Sequence, residues 1–180
     1  EYAHEEKIVH RDLKPGNIMI SRKGRLKLAD FGIAATLADA TRRSSMEGII
    51  SGTTLYMSPQ QMKGKAPSVT DDVYAYGATI YELLTSHPPF YTGNVEHQVL
   101  QVTPTSPSQR MLEFGYVTII PSYVNELVMA CLAKAPEGRP QSMGAILDWI
   151  QSEGKAEGAI PKPPTKTIKM QAPEAAGDQL

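Results

Sequence analysis

Apolar residues recur at helical spacing in four stretches, all beyond residue 70. Val73, Tyr76, Gly77, Ile80, Leu83 and Leu84 define the first, with Asp71 and Asp72 placing negative charge at its start and His87-Pro88-Pro89 ending it. Nearly every turn is apolar, so this helix is expected to be buried. Asn94 is suited to cap a second, short helix carrying Val95, Val99 and Val102, which Pro104 and Pro107 end quickly. In the third, Val124, Leu127, Val128, Cys131 and Leu132 occupy positions i, i+3, i+4, i+7 and i+8 after Pro121-Ser122, which makes Cys131 a core residue. A fourth begins at Gln141 or Ser142 and carries Met143, Ile146, Leu147 and Ile150 on one face, with Trp149 near its end.

The first third of the chain has a shorter period. Asn17-Ile18-Met19-Ile20 and Arg25-Leu26-Lys27-Leu28-Ala29, joined through Lys23-Gly24, predict a two-stranded hairpin. Residues 42–54 turn polar, with Ser, Thr and Gly and little periodicity, and read as a long exposed loop. Beyond residue 152 the composition shifts to Pro, Ala, Gly and Lys, too poor in large apolar side chains to order itself. The expected organisation is one domain over residues 1–152 and a Pro-rich, disordered linker or tail over residues 153–180. There is no internal repeat.

Composition narrows the function classes. Of 180 residues, 41% are apolar, enough for a real core, and 18 Lys and Arg against 19 Asp and Glu leave a net charge of −1. Without an overall basic field, nucleic acid is not an expected partner. No apolar run reaches the ~18 residues of a membrane helix, and the opening residues do not resemble a signal peptide. With one cysteine no intramolecular disulfide forms, which fits a reducing setting, and a cytoplasmic location is expected.

The chemistry concentrates in His10-Arg11-Asp12-Leu13-Lys14-Pro15-Gly16-Asn17, followed by the predicted hairpin and then Asp30-Phe31-Gly32. Phosphoryl transfer requires a carboxylate to orient the attacking hydroxyl and oxygen ligands on Mg²⁺ to neutralise crowded phosphate charge. Asp12 suits the first role. Asp30 and Asn17 suit the second, and Lys14 is placed to set its ammonium on the transferred phosphate. A hairpin between Asn17 and Asp30 would bring the two metal ligands together at one end of its strands.

These two segments, in this order and spacing, resemble the catalytic loop and metal-binding tripeptide of the protein kinases. The likeness extends over about 150 residues. Gly52-Thr53-Thr54-Leu55-Tyr56-Met57-Ser58-Pro59 resembles the substrate-facing loop, Asp72-Val73-Tyr74-Ala75-Tyr76-Gly77 the start of the central buried helix, and Arg139-Pro140 the arginine that closes the lobe. Glu1-Tyr2-Ala3-His4 matches the tail of the helix before the catalytic loop. The implied fold is mainly α: a kinase-like large, C-terminal lobe, helical, with a short β-hairpin beside the catalytic loop.

The resemblance implies roles residue by residue. Lys14 points to a serine/threonine kinase using ATP and Mg²⁺ on protein substrates, with Thr53 hydrogen-bonding Asp12 and Lys14, and Ile33 leaning toward threonine acceptors. Arg11 implies switching by phosphorylation of the polar loop, where Thr41, Ser44, Ser45, Ser51 and Thr54 are candidate phosphosites. Arg42-Arg43 beside them reads as a solvated basic pair. His10 is expected to brace the loop and Phe31, Gly32 to complete the tripeptide, and Asp72 to accept catalytic-loop backbone N–H groups. One position departs from the family: Gln60 stands where a Glu usually pairs with the residue matching Arg139, leaving Gln61, Glu137 or a C-terminal carboxylate to compensate. The forms Ser58-Pro59-Gln60-Gln61 and Asp71-Asp72-Val73-Tyr74 resemble bacterial, eukaryotic-like kinases most.

Nine residues precede His10, with no glycine-rich loop, no Val-Ala-Ile-Lys-like strand and no regulatory helix. The small lobe is therefore expected to be absent and its half of the nucleotide site to come from elsewhere. The expected function is Ser/Thr phosphorylation as the C-lobe fragment of a longer kinase, inactive alone. The alternative is a non-catalytic, kinase-like binding or scaffold module. A weaker expectation is that residues 94–124 dock protein substrates.

Overall fold

A computed structural model describes residues 1–30, 35–36, 53–117 and 119–161. Helix α1 (Tyr2–Glu5) leads into strand β1 (Ile8–Val9), and a 3₁₀ turn, Pro15–Asn17, opens strand β2 (Ile18–Ile20). Strand β2 pairs antiparallel with β3 (Leu26–Leu28) in the register Ile18↔Leu28 and Ile20↔Leu26. The hairpin is the expected one. Its turn closes through Gly24, whose φ of +72° is cheap only without a Cβ. A second pairing, β1 with β4 (Ala35–Thr36), was not legible in the sequence, since two residues per strand show no period.

Helix α2 (Pro59–Met62) and helix α3 (Val69–Thr85) follow. Ser68 caps α3 in a reciprocal box with Asp71, so the helix begins two residues before the expected acidic start. It ends at Ser86, held left-handed at φ +63°. Tyr74, Ala78 and Tyr81 turn inward against Phe90, Val99, Val128 and Leu132. Leu83, expected on the buried face, is 63% exposed. It lies nine residues, about two and a half turns, beyond Tyr74 and so on the opposite side.

Asn94 caps α4 (Val95–Gln101) by accepting the His97 N–H. Pro107, expected only to terminate that helix, opens another: α5 (Pro107–Glu113), capped by Ser106. Helix α6 (Ser122–Cys131) lies across α3, and α7 (Met143–Gln151) packs on α6, completing a second core cluster of Val73, Leu127, Cys131, Ile146 and Trp149. Trp149 rather than Leu147 anchors α7: its indole N–H donates to the Tyr123 carbonyl, and Leu147 is 53% exposed. Past residue 152 the chain stays against this core, with Ala159 and Ile160 packed on it. The result is a mainly helical lobe with a hairpin beside the loop from His10 to Asn17. Among the described residues no helix is long and apolar enough to cross a membrane.

Candidate active site

The loop from His10 to Asn17 hangs from α3. The Asp72 carboxylate accepts the His10 N–H on Oδ2 and the Arg11 N–H on Oδ1, both at 2.8 Å, as the sequence suggested. The His4 ring nitrogen Nε2 meets the same Oδ2 at 2.8 Å. The sequence places His4 only in the helix tail Glu1-Tyr2-Ala3-His4; its bond to Asp72, 68 residues away, leaves no local pattern. The His10 ring braces two directions: Nδ1 accepts the Asp12 N–H, and Nε2–H donates to the carbonyl of Ala29, which follows β3 and precedes Asp30.

These anchors converge on Asp12, which is buried. Lys14 Nζ lies 3.1 and 2.8 Å from its two carboxylate oxygens. The Asn17 amide donates to the Asp12 backbone carbonyl at 2.8 Å and to Oδ2 at 3.0 Å. With the Asn17 NH₂ committed there, its free donor atom for a hard cation is Oδ1. The Ala29 N–H bonds the Asn17 carbonyl at 2.8 Å, extending the ladder so that exposed Asp30, at φ +65°, follows directly beside Asn17. An amide oxygen and a carboxylate at one hairpin end form a donor set that fits Mg²⁺. Among the described residues no cluster of three or more His, Cys, Asp or Glu forms a metal cage.

Arg11 is 7% exposed, and its Nε has no hydrogen-bond partner among the described residues. Phe31, Gly32, Ile33, Thr41, Ser44, Ser45 and Ser51 lie outside the described residues. Thr54 sits in a 3₁₀ turn, Thr53–Tyr56, and the Thr53 side chain is outside what is described. The Tyr56 hydroxyl ends this turn on Glu82 of α3, and burial with that carboxylate pushes its pKa up.

Arg139 is fully buried, and its acceptors are neutral: the Ala133, Thr70 and Lys134 carbonyls and, at 2.6 Å, Gln60 Oε1. The Gln60 departure is thus accommodated by direct contact. Among the described residues Gln61 and Glu137 do not bond Arg139, and the carboxylate acting on it most strongly is Asp71. Gln61 instead completes the N-terminal box of α2 with Ser58 and donates to the Arg11 carbonyl. The Ser-x-x-Gln spacing of Ser58 and Gln61 was the signal for that cap.

The protein kinase domain model matches residues 1–149 of the chain. The chain belongs to the protein kinase family. It is 39% identical over 163 residues to a probable serine/threonine-protein kinase of Corynebacterium efficiens, covering 87% of this chain and 24% of that one. It is 36% identical over 182 residues to the serine/threonine-protein kinase PknB of Mycolicibacterium smegmatis, covering 97% and 28%. A probable serine/threonine-protein kinase of Streptomyces coelicolor is 37% identical over 164 residues, covering 88% and 24%. The chain spans about a quarter of the length of these curated relatives. Their names agree with the bacterial, Ser/Thr-type character of the kinase motifs.

Proposed function

We propose that this chain carries the catalytic and acceptor half of a bacterial serine/threonine protein kinase, transferring the γ-phosphoryl group of ATP to Ser or Thr hydroxyls of protein substrates. The observation that carries the reading is the Asp12 carboxylate, fixed between Lys14 and Asn17 at the hairpin end that also presents Asp30. Asp12 orients the acceptor hydroxyl and takes its proton as the O–P bond forms, and Lys14 neutralises charge on the transferred group. Asn17 Oδ1 and Asp30 hold Mg²⁺, which supplies charge neutralisation on the nucleotide phosphates. Thr53 completes the acceptor site. Buried Arg11, whose Nε has no partner among the described residues, is the receptor for a phosphate on Thr41, Ser44, Ser45, Ser51 or Thr54, since a guanidinium pairs bidentately with that anion. Dependence on ATP puts the working location in the cytoplasm.

The 180 residues contain no glycine-rich loop and no strand lysine to cover the nucleotide, so the chain alone is expected to transfer phosphate negligibly. The test measures phosphate transfer to a Ser/Thr peptide by the kinase that carries this chain. Asp12→Asn should lower kcat by about 10²-fold or more, leaving peptide binding near normal. Unchanged transfer in Asp12→Asn would refute the assignment, whereas peptide capture without transfer in either protein supports a non-catalytic binding module.

A further inference from the structure

The peptide unit joining Arg11 to Asp12 is held at both of its polar atoms by side chains from different parts of the chain. Its N–H, that of Asp12, donates to His10 Nδ1 at 3.2 Å. Its carbonyl, that of Arg11, accepts from Gln61 Nε2 at 2.9 Å. Arg11 itself sits at φ +68°, a left-handed conformation that non-glycine residues rarely adopt without external restraint. Asp72 supplies one restraint, on the Arg11 N–H. Gln61 supplies the other, and it reaches over from α2, immediately after the substrate-facing segment.

The same carboxamide has a second task. Gln61 Oε1 accepts the Ser58 N–H at 3.2 Å, closing the box in which Ser58 Oγ accepts the Gln61 N–H at 3.0 Å. Ser58 Oγ in turn donates to Asp71 Oδ1 at 2.5 Å. The oxygen of Gln61 therefore serves helix α2, and its nitrogen serves the loop. One planar group links the end of the substrate-facing segment to the peptide plane that aims Asp12.

We propose that Gln61 is a positioning residue: by binding the Arg11 carbonyl it fixes the Arg11–Asp12 peptide plane, and hence the Asp12 carboxylate, in register with the substrate-facing segment. The catalytic consequence rests on the kinase reading above. The structural consequence does not.

Gln61→Glu separates the two tasks. A carboxylate still accepts the Ser58 N–H, so the cap survives, but it has no hydrogen to give the Arg11 carbonyl and sets an oxygen against it. The first readout is the backbone ¹⁵N resonance of Asp12 in the 180-residue chain, which responds to hydrogen bonding at the preceding carbonyl. It is expected to shift in Gln61→Glu while resonances of α6 and α7 stay in place. The second is the rate of peptide phosphorylation by the kinase that carries the chain, expected to show kcat reduced by about tenfold to a hundredfold with peptide KM within about twofold. Gln61→Leu, which loses both bonds, should match that kcat and also lower the melting temperature. An Asp12 resonance unmoved in Gln61→Glu overturns the proposal, as does an unchanged kcat. A wild-type kinase without any transfer activity overturns the kinase reading, and the Asp12 resonance then decides the peptide-plane proposal by itself.

Discussion

Arg139 shows how a buried cation is kept without an opposing charge in direct contact. Burial draws its pKa down to about 10, and Asp71 is the largest influence opposing that fall. Four acceptors surround the guanidinium, and its face lies over the Tyr74 ring, 5.1 Å from the centroid. A planar fork is required to reach the Ala133, Thr70 and Lys134 carbonyls together with Gln60, and a lysine offers one point of charge. Arg139→Lys is therefore expected to lose part of this set, the Ala133 carbonyl or the Gln60 contact first, since Gln60 Nε2 also serves the Lys134 carbonyl, and to cost roughly 1–3 kcal/mol. Urea unfolding of the chain checks this, and a midpoint within error of wild type would remove Arg139 from its closing role. The kinase resemblance implied that Gln60 stands opposite Arg139, as the structure has it. It could not show that backbone carbonyls complete the set, because no residue type encodes where a carbonyl points. The same holds at the loop from His10 to Asn17, where the kinase resemblance pointed to Asp12, Lys14, Asn17 and Asp72, while His4 and the Gln61 nitrogen act on a partner 68 and 50 residues away.

The crossing of α3 over α6 depends on one small residue. A Cβ added at Gly77 would stand 2.6 Å from the Cys131 Cβ, well inside van der Waals contact with an atom that cannot rotate away. Gly77 is helical and needs no special φ, so its role is close approach. Gly77→Ala should force the two helices apart and destabilise the lobe by roughly 1–3 kcal/mol, although alanine favours an isolated helix. A thermal melt that rises in Gly77→Ala would show the helices free to adjust. Periodicity identified all four helices it predicted, α3, α4, α6 and α7, since Asn94, Ser142 and the Val124-to-Leu132 stripe all act locally. It failed where tertiary packing chose between faces, as at Leu83 and Leu147. It also failed where proline was read as a stop, although Ser106-Pro107 has the chemistry of a helix start.

The proton balance of the folded lobe predicts its response to alkaline pH. Burial, with Arg139 nearby, lowers Lys134 from 10.5 to about 8, although its Nζ lies 4.7 Å from the Phe90 ring centroid and donates to the Gln98 carbonyl. Between these values the unfolded chain binds the extra proton, so stability rises with pH. Burial moves the Cys131 thiol the other way, from 9.0 up to about 12. There the folded chain binds the extra proton, and from pH 9 upward Cys131 offsets the gain. Tyr56, Tyr74, Tyr76 and Tyr81 are all raised above 10.0, chiefly by burial, and Arg139 counters one of them as it nears its own lowered value. Fully buried Cys131 and nearly buried Tyr74 each lower stability as pH rises within their windows. The unfolding midpoint is therefore expected to rise from pH 8 to 9, level off toward 10 and fall above it. Urea titrations between pH 7 and 11 test the order of events. Lys134→Met should abolish the rise, and Cys131→Ala should postpone the levelling until the tyrosines ionise in the unfolded chain. A wild-type midpoint that declines steadily from pH 8 would mean that Lys134 keeps its proton in the fold.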